Sequence, residues 1–211
     1  MSSILKKKLN DIRSSSNLLP LKKEKNDLKG TPKKSIPTEL SEGQTLCGNL
    51  DIRIDSEGVW SYHGSPIGRM ELVKLFSSVL SMDENARYWL TTPSEKGEIF
   101  VEDVPFQAVE MNVNHQNEIQ VLSFRTNIDE VVIADADHPI RIEINPTTRQ
   151  PSPYIMVRDR LEARLTRSVF YQMVDLGIEM TIESKKGAHI TNEQVFGVWS
   201  SEQFFQIGIL T

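Results

Sequence analysis

Two short stretches constrain the fold most. DIRID occupies residues 51–55 and PIRIE residues 139–143. In each, isoleucine alternates with a charged residue, which is the period-two signature of a strand with one buried face. Each opens a similar run of elements. After DIRID, Ser56-Glu57-Gly58 reads as a turn with Gly58 free to take a positive φ, and Val59–His63 as a second strand. Ser65-Pro66 then reads as an N-cap and first helical residue, opening a helix of about four turns that runs through Met70, Leu72, Val73, Leu75, Phe76, Val79 and Leu80. Strands at Arg87–Thr92 and Glu98–Glu102 follow, joined by residues 93–97. After PIRIE come a strand at Tyr154–Arg158 and a helix, LEARLTRSVFYQMVDLG, capped near Gly177. A polar loop (ESKKGAHITNE) leads to a hairpin of Val195–Ser200 and Phe204–Leu210. The order strand, strand, helix, strand, strand thus occurs twice and predicts an internal duplication. Between the units, Phe106–Asn114, Glu118–Arg125 and Asp129–Ala134 are strand candidates that extend the second unit's sheet, with a turn at His115-Gln116-Asn117. The fold class is α+β, with antiparallel sheets and one main helix per half.

Charge separates the N-terminus from the rest. Residues 1–40 carry ten basic and four acidic residues, a net +6, whereas the remainder carries 14 basic and 25 acidic, a net -11. An acidic folded part argues against nucleic-acid binding. The first segment has no aromatic residue and is rich in Lys, Ser and Asn, a composition too polar to drive folding, so residues 1–43 are expected to be a disordered basic tail. Ile4, Leu5, Leu9 and Ile12 nevertheless share a face at helical spacing, so a short helix could form there on a protein partner or anionic surface. Domain limits follow at 44–104 and 105–211. Cys47 is the only cysteine and no apolar run is long enough to span a membrane, which predicts a cytoplasmic protein.

Several blocks in fixed order, GNLDIRIDSEGVWSYHGSPIGR, RYWLTTPSEKGEIFVEDVPFQAVEM, LSFRTNIDE, DHPIRIE, YIMVRDRLEARLTRSVFY and VFGVWS, resemble the bacterial family known as DUF1285, a domain of unknown function, over residues 46–210. The resemblance implies a duplicated α+β fold, a C-terminal half superficially similar to pleckstrin-homology domains, and a nucleotide-like ligand at the domain interface in signalling. It implies no activity.

Read for chemistry, most motifs have a structural explanation. Gly64-Ser65-Pro66-Ile67-Gly68 lacks the spacing of a nucleophile elbow, and no phosphate-loop sequence is present. His63, Glu102 and Asp103 assemble into no nucleophile–base–orienter set, so no catalytic residue is expected. Asp135, Asp137 and His138 read as a turn, and the four histidines show no ligand spacing, so neither metal nor cofactor is expected. Trp60, Trp89 and Trp199 are expected in the core or at the domain interface. The candidate site is a cluster of arginines. Arg158, Arg160, Arg164 and Arg167 fall within ten residues of an acidic domain, and on a helix Arg164, Arg167 and Tyr171 would share a face. Arginine forks suit carboxylates and phosphates. Arg158, Arg164, Arg167 and Tyr171, with Arg125 and Asn127 nearby and His63 and Arg69 from the first half, are therefore expected to bind a small anionic ligand between the halves. The alternative is a protein-interaction module assisted by the tail.

Overall fold

The structure, a computed structural model, describes residues 43–186 and 189–210. The predicted tail thus lies outside the described residues except for Gly43. The chain is sheet-rich α+β. Its first sheet contains β1 (Thr45–Ile54), β2 (Trp60–Tyr62), β3 (Ser65–Pro66), β4 (Leu80–Met82), β5 (Tyr88–Thr91) and β6 (Glu95–Val101), in the order β3-β2-β1-β6-β5-β4. The second contains β7 (Phe106–Gln116), β8 (Ile119–Thr126), β9 (Val131–Ile133), β10 (Ile140–Ile144), β11 (Pro151–Arg158) and β12 (Leu161–Leu165), in the order β10-β11-β12-β7-β8-β9. A third is the meander β13 (Ile178–Lys186), β14 (His189–Ser200) and β15 (Gln203–Leu210). Helix α1 (Met70–Ser78) connects β3 to β4, and α2 (Arg167–Asp175) connects β12 to β13.

The sheets are not wholly antiparallel, as the alternation pattern suggested. Each six-stranded sheet consists of two antiparallel three-stranded meanders, joined by a parallel pairing of the first strand of one with the last strand of the other: β1 with β6, and β7 with β12. Parallel neighbours need a long crossover, and here the crossover is the rest of the meander pair.

Two helix predictions need correction, and tight turns explain both. His63 and Gly64 have φ of +46° and +76° and sit between the paired residues Tyr62 and Ser65. This two-residue turn sends the chain straight back, so Ser65-Pro66 is used in the edge strand β3, where proline's missing N–H is tolerated. The helix therefore starts at Met70, with Arg69 in the capping position and no side-chain cap. It ends at Ser78, and Leu80 enters β4. Likewise Asp159 and Arg160, with φ of +44° and +68°, form a turn between the paired residues Arg158 and Leu161. LEARL is consequently strand β12, with Leu161, Ala163 and Leu165 buried and Glu162 and Arg164 half-buried on the other face. The helix starts only at Arg167. The expected polar loop ESKKGAHITNE is instead part of the β13–β14 hairpin, which pairs as far as Lys186 with His189.

Gly177 follows α2, but not as a left-handed cap: Leu176 holds the cap position in right-handed conformation. A Cβ on Gly177 would come within 2.1 Å of the buried Phe196 ring, so glycine permits close packing of β14 there. Buried apolar residues from Ile52 to Ile207 form one cluster that runs through all three sheets and both halves. Trp60 (2% exposed) and Trp89 (3%) belong inside as expected, but Trp199 is 38% exposed. Among the described residues, no helix is long and apolar enough to cross a membrane.

Candidate functional site

Where the halves meet, backbone and side chains interlock. Gln107 donates to the Ser56 carbonyl at 3.0 Å. Asn127 accepts from the Gln107 N–H at 3.1 Å and donates to the Gly58 carbonyl at 3.2 Å. Gly58 does take a positive φ (+76°), and its missing Cβ leaves room for the Asn127 amide, which would otherwise lie 2.9 Å away. Asn127 therefore serves as a clasp between halves. Arg160 adds a bond to the Asp83 carbonyl at 3.2 Å. Asp83 is itself fixed: burial acts to raise its pKa, but N–H donors from Arg87, Trp89 and Asn85 outweigh that and hold the carboxyl below its usual range.

Beside the clasp lies a concavity of about 370 Å³ lined by Lys74, Ser77 and Ser78 of α1, by Ile128, Asp129 and Glu130 of the β8–β9 turn, and by Arg158 of β11. Arg158 pairs with the Glu130 carboxylate, donates to the Ser77 carbonyl at 2.7 Å, and lies 5.2 Å from the Phe106 ring centre. Lys74 meets one oxygen of Asp129 at 2.7 Å, and Arg125 meets the other at 3.0 Å. Arg125 also holds Glu110 through Nε at 2.8 Å. These contacts, led by the Lys74 hydrogen bond at Asp129 and the Arg125 hydrogen bond at Glu110, keep both carboxyls below their usual range. Three cations thus face three carboxylates. The Ser77 carbonyl at the end of α1, which accepts from Arg158, adds negative character.

Of the residues expected to form one site, the structure brings together Arg125, Asn127 and Arg158. It places the others elsewhere. Arg164 lies on β12, donating to Asp103 at 3.1 Å and to Ser152 at 3.1 Å, beside a Tyr154 hydroxyl that also donates to Asp103 at 3.0 Å. Arg167 is exposed at the start of α2 and Tyr171 is half-buried against Phe170, so Arg164, Arg167 and Tyr171 share no helix face. The cause is the Asp159-Arg160 turn, which makes a strand of the segment carrying Arg164. His63 pairs with the Asp51 carboxylate on the surface, its ring 4.1 Å from that of Tyr62. Arg69 is exposed at the start of α1. Lys74, Ser77, Ser78, Asp129 and Glu130 were not singled out in the sequence.

Other chemistry is limited. Asp135 accepts the N–H groups of Asp137 and His138 at 2.9 and 2.8 Å, an Asx-type turn, as its sequence suggests. Among the described residues, no three His, Cys, Asp or Glu side chains converge as a metal site. Two further concavities lie among the described residues. One, about 410 Å³, lies between α1 and the first sheet and is lined by Leu50, Ile52, Tyr62, Ile67, Leu72, Phe76 and Leu90. The other, about 550 Å³, lies at the junction of the second and third sheets.

Comparison with known proteins gives a family but no activity. Residues 43–104 match the N-terminal domain of the domain of unknown function DUF1285, and residues 105–207 match the C-terminal domain of the same family. No curated protein matches the chain. A DUF1285 family protein from Silicibacter pomeroyi DSS-3 is 40% identical, with 80% of this chain and 84% of that one covered and a TM-score of 0.66. Another, from Shewanella baltica OS155, is 25% identical over 60% of this chain and 91% of that one, with a TM-score of 0.48. Matches to both domain profiles, together with that 40% identity, show that the chain belongs to the DUF1285 family.

Proposed function

We propose that the chain is a non-enzymatic binding protein that takes a small anionic, nucleotide-like ligand at the seam of its halves, in a signalling role. One observation carries this reading. Lys74, Arg125 and Arg158 come from three different elements and converge on Asp129 and Glu130 beside an open concavity. A phosphate presents several charge-delocalised oxygens and can replace a carboxylate opposite an arginine fork and a lysine. Because the cations already have carboxylate partners, a doubly charged phosphate should compete better than a singly charged anion. Displacing Asp129 and Glu130 would release the β8–β9 turn from α1, which gives binding a mechanical readout. The proposed site is thus Lys74, Arg125 and Arg158, with Asn127 as its clasp; His63, Arg69, Arg164, Arg167 and Tyr171 are left out of it.

The test is thermal unfolding with inorganic phosphate, nucleoside mono- and diphosphates and cyclic nucleotides. A ligand at about 100 times its Kd stabilises by roughly 2.7 kcal/mol. We expect a shift with a phosphate-bearing class, lost in Lys74→Gln and kept in Arg69→Gln. A shift unchanged in Lys74→Gln, or no shift with any probe, defeats the reading.

A second reading, a protein-interaction module, is favoured by β9. This strand is an edge of the second sheet, and its Val131 (61%) and Ile133 (40%) are exposed. Such an edge can accept a partner strand. We also read the C-terminal half as superficially pleckstrin-homology-like, and the repeated order of three strands, helix, three strands (β1–β3, α1, β4–β6 and β10–β12, α2, β13–β15) as an internal duplication. A reducing, cytoplasmic location fits the lone, exposed Cys47.

A further inference from the structure

The concavity of about 550 Å³ at the junction of the second and third sheets has the wrong chemistry for an anion. Two hairpin turns stand side by side there. Asn117-Glu118 joins β7 to β8 and Ser201-Glu202 joins β14 to β15, and all four residues have positive φ, between +49° and +69°. The turns are locked together: the Ser201 N–H donates to the Gln120 carbonyl at 2.9 Å, and the Gln120 amide donates to the Trp199 carbonyl at 2.6 Å. Each turn sets a glutamate on the rim, and the floor between is Ile119, Ile178, Trp199 and Leu176. Three of these are unusually open for their type: Ile119 is 37% exposed, Ile178 47% and Trp199 38%. Leu176 ends α2, whose last turn carries no basic residue, so the helix dipole adds to the negative rim. The groove therefore suits an amphipathic segment with apolar side chains on one face and positive charge around them.

This chain contains one such segment. Ile4, Leu5, Leu9 and Ile12 share a face at helical spacing, among Lys6, Lys7, Lys8 and Arg13. The net +6 of residues 1–40 opposes the net -11 of the remainder. Twenty-nine residues lie between Arg13 and Gly43, the first described residue. A segment of that length can span about 100 Å at full extension, enough to reach any face of the folded part. We propose that residues 4–12 dock in the Trp199 groove of their own chain, with their apolar face on Ile119, Ile178 and Trp199 and their lysines toward Glu118 and Glu202. The tail then masks this surface until a competitor of like chemistry displaces it. This inference is independent of the ligand reading above.

The full chain provides its own probe. Trp60 and Trp89 are buried, so acrylamide quenching of tryptophan fluorescence reports chiefly on Trp199. Replacing Leu5 and Leu9 by Asp should increase quenching, and so should raising the salt to 1 M, where the screening length falls to about 3 Å. In an equal mixture of isotopically light and heavy chains, zero-length carbodiimide cross-linking should join Lys6, Lys7 or Lys8 to Glu118 or Glu202 within one chain. Those links should be lost in Leu5→Asp/Leu9→Asp. Quenching that ignores the tail substitutions, or absence of these cross-links, overturns the proposal. Cross-links found only between light and heavy chains overturn docking in cis and assign the groove to the tail of a second copy.

Discussion

Ser200 offers a sharp test of how the third sheet is attached. Its side chain is fully buried. Ser123 pairs with Ile133 across β8 and β9, so Leu122 and Ala134 are the next pair along the ladder. One of their two bonds is present, from the Ala134 N–H to the Leu122 carbonyl at 2.9 Å. The reciprocal bond is replaced by the Ser200 hydroxyl, which accepts from the Leu122 N–H at 2.9 Å and donates to the Ala134 carbonyl at 2.6 Å. The hydroxyl is thus a wedge in the ladder, and it docks β14 onto the second sheet. Ser200→Ala strands one N–H and one carbonyl, both on residues with no exposed surface. An unsatisfied buried polar group costs about 1–3 kcal/mol, so with some relaxation the variant should lose about 2–4 kcal/mol. For a chain of this length that is roughly 4–16 °C in Tm. The measurements are denaturant unfolding with a check that the slope is unchanged, and amide exchange at Leu122, whose protection should fall. Ser78→Ala, on an exposed helix-end serine, is the control. If Ser200→Ala costs no more than the control, or the Leu122 amide stays protected, the ladder closes unaided and the wedge argument is wrong.

Two further outcomes are expected. Gly177→Ala places a methyl 2.1 Å from the Phe196 ring, an overpacking worth about 1–3 kcal/mol; Phe196→Leu in the same chain should recover part of it, and strictly additive losses in a double-mutant cycle would contradict the packing account. Burial first, and then the Asp103 carboxylate that accepts its hydroxyl, push the Tyr154 phenol up to about 12. Because the folded value is raised, the stability it brings is complete below about pH 10 and is lost as pH rises through about 12. Unfolding free energy should therefore fall over that window, and fall less in Tyr154→Phe; equal slopes in the two proteins would remove Tyr154 as the cause.

The strands of the chain were readable because alternation survives any tertiary arrangement. IRIEIN and DIRID became β10 and part of β1, and the hairpin at 195–210 and the joining of β7–β9 to β10–β12 came out as expected. LEARL misled because Leu, Glu, Ala and Arg are all strong helix formers, yet pairing with β7 and β11 overrode that preference. The turn that decides it, Asp159-Arg160, requires an arginine at positive φ, which no local rule favours. The candidate site was less legible than the fold. Arg158 and Arg125 looked available in an acidic domain, but their partners lie 28 residues away at Glu130, 81 away at Ser77 and 15 away at Glu110. Trp199, which looked like a core or domain-interface residue, is left partly open where two hairpin turns meet.

By itself the sequence determined where strands alternate, how charge divides between the first forty residues and the rest, and the family. Only the tertiary structure decided which carboxylate neutralises which arginine, that a parallel pairing joins the two meanders of each six-stranded sheet, and which apolar side chains stay exposed. The physical reason is range: alternation and turn preference act over a few residues, whereas ion pairing and burial depend on segments brought together from distant parts of the chain.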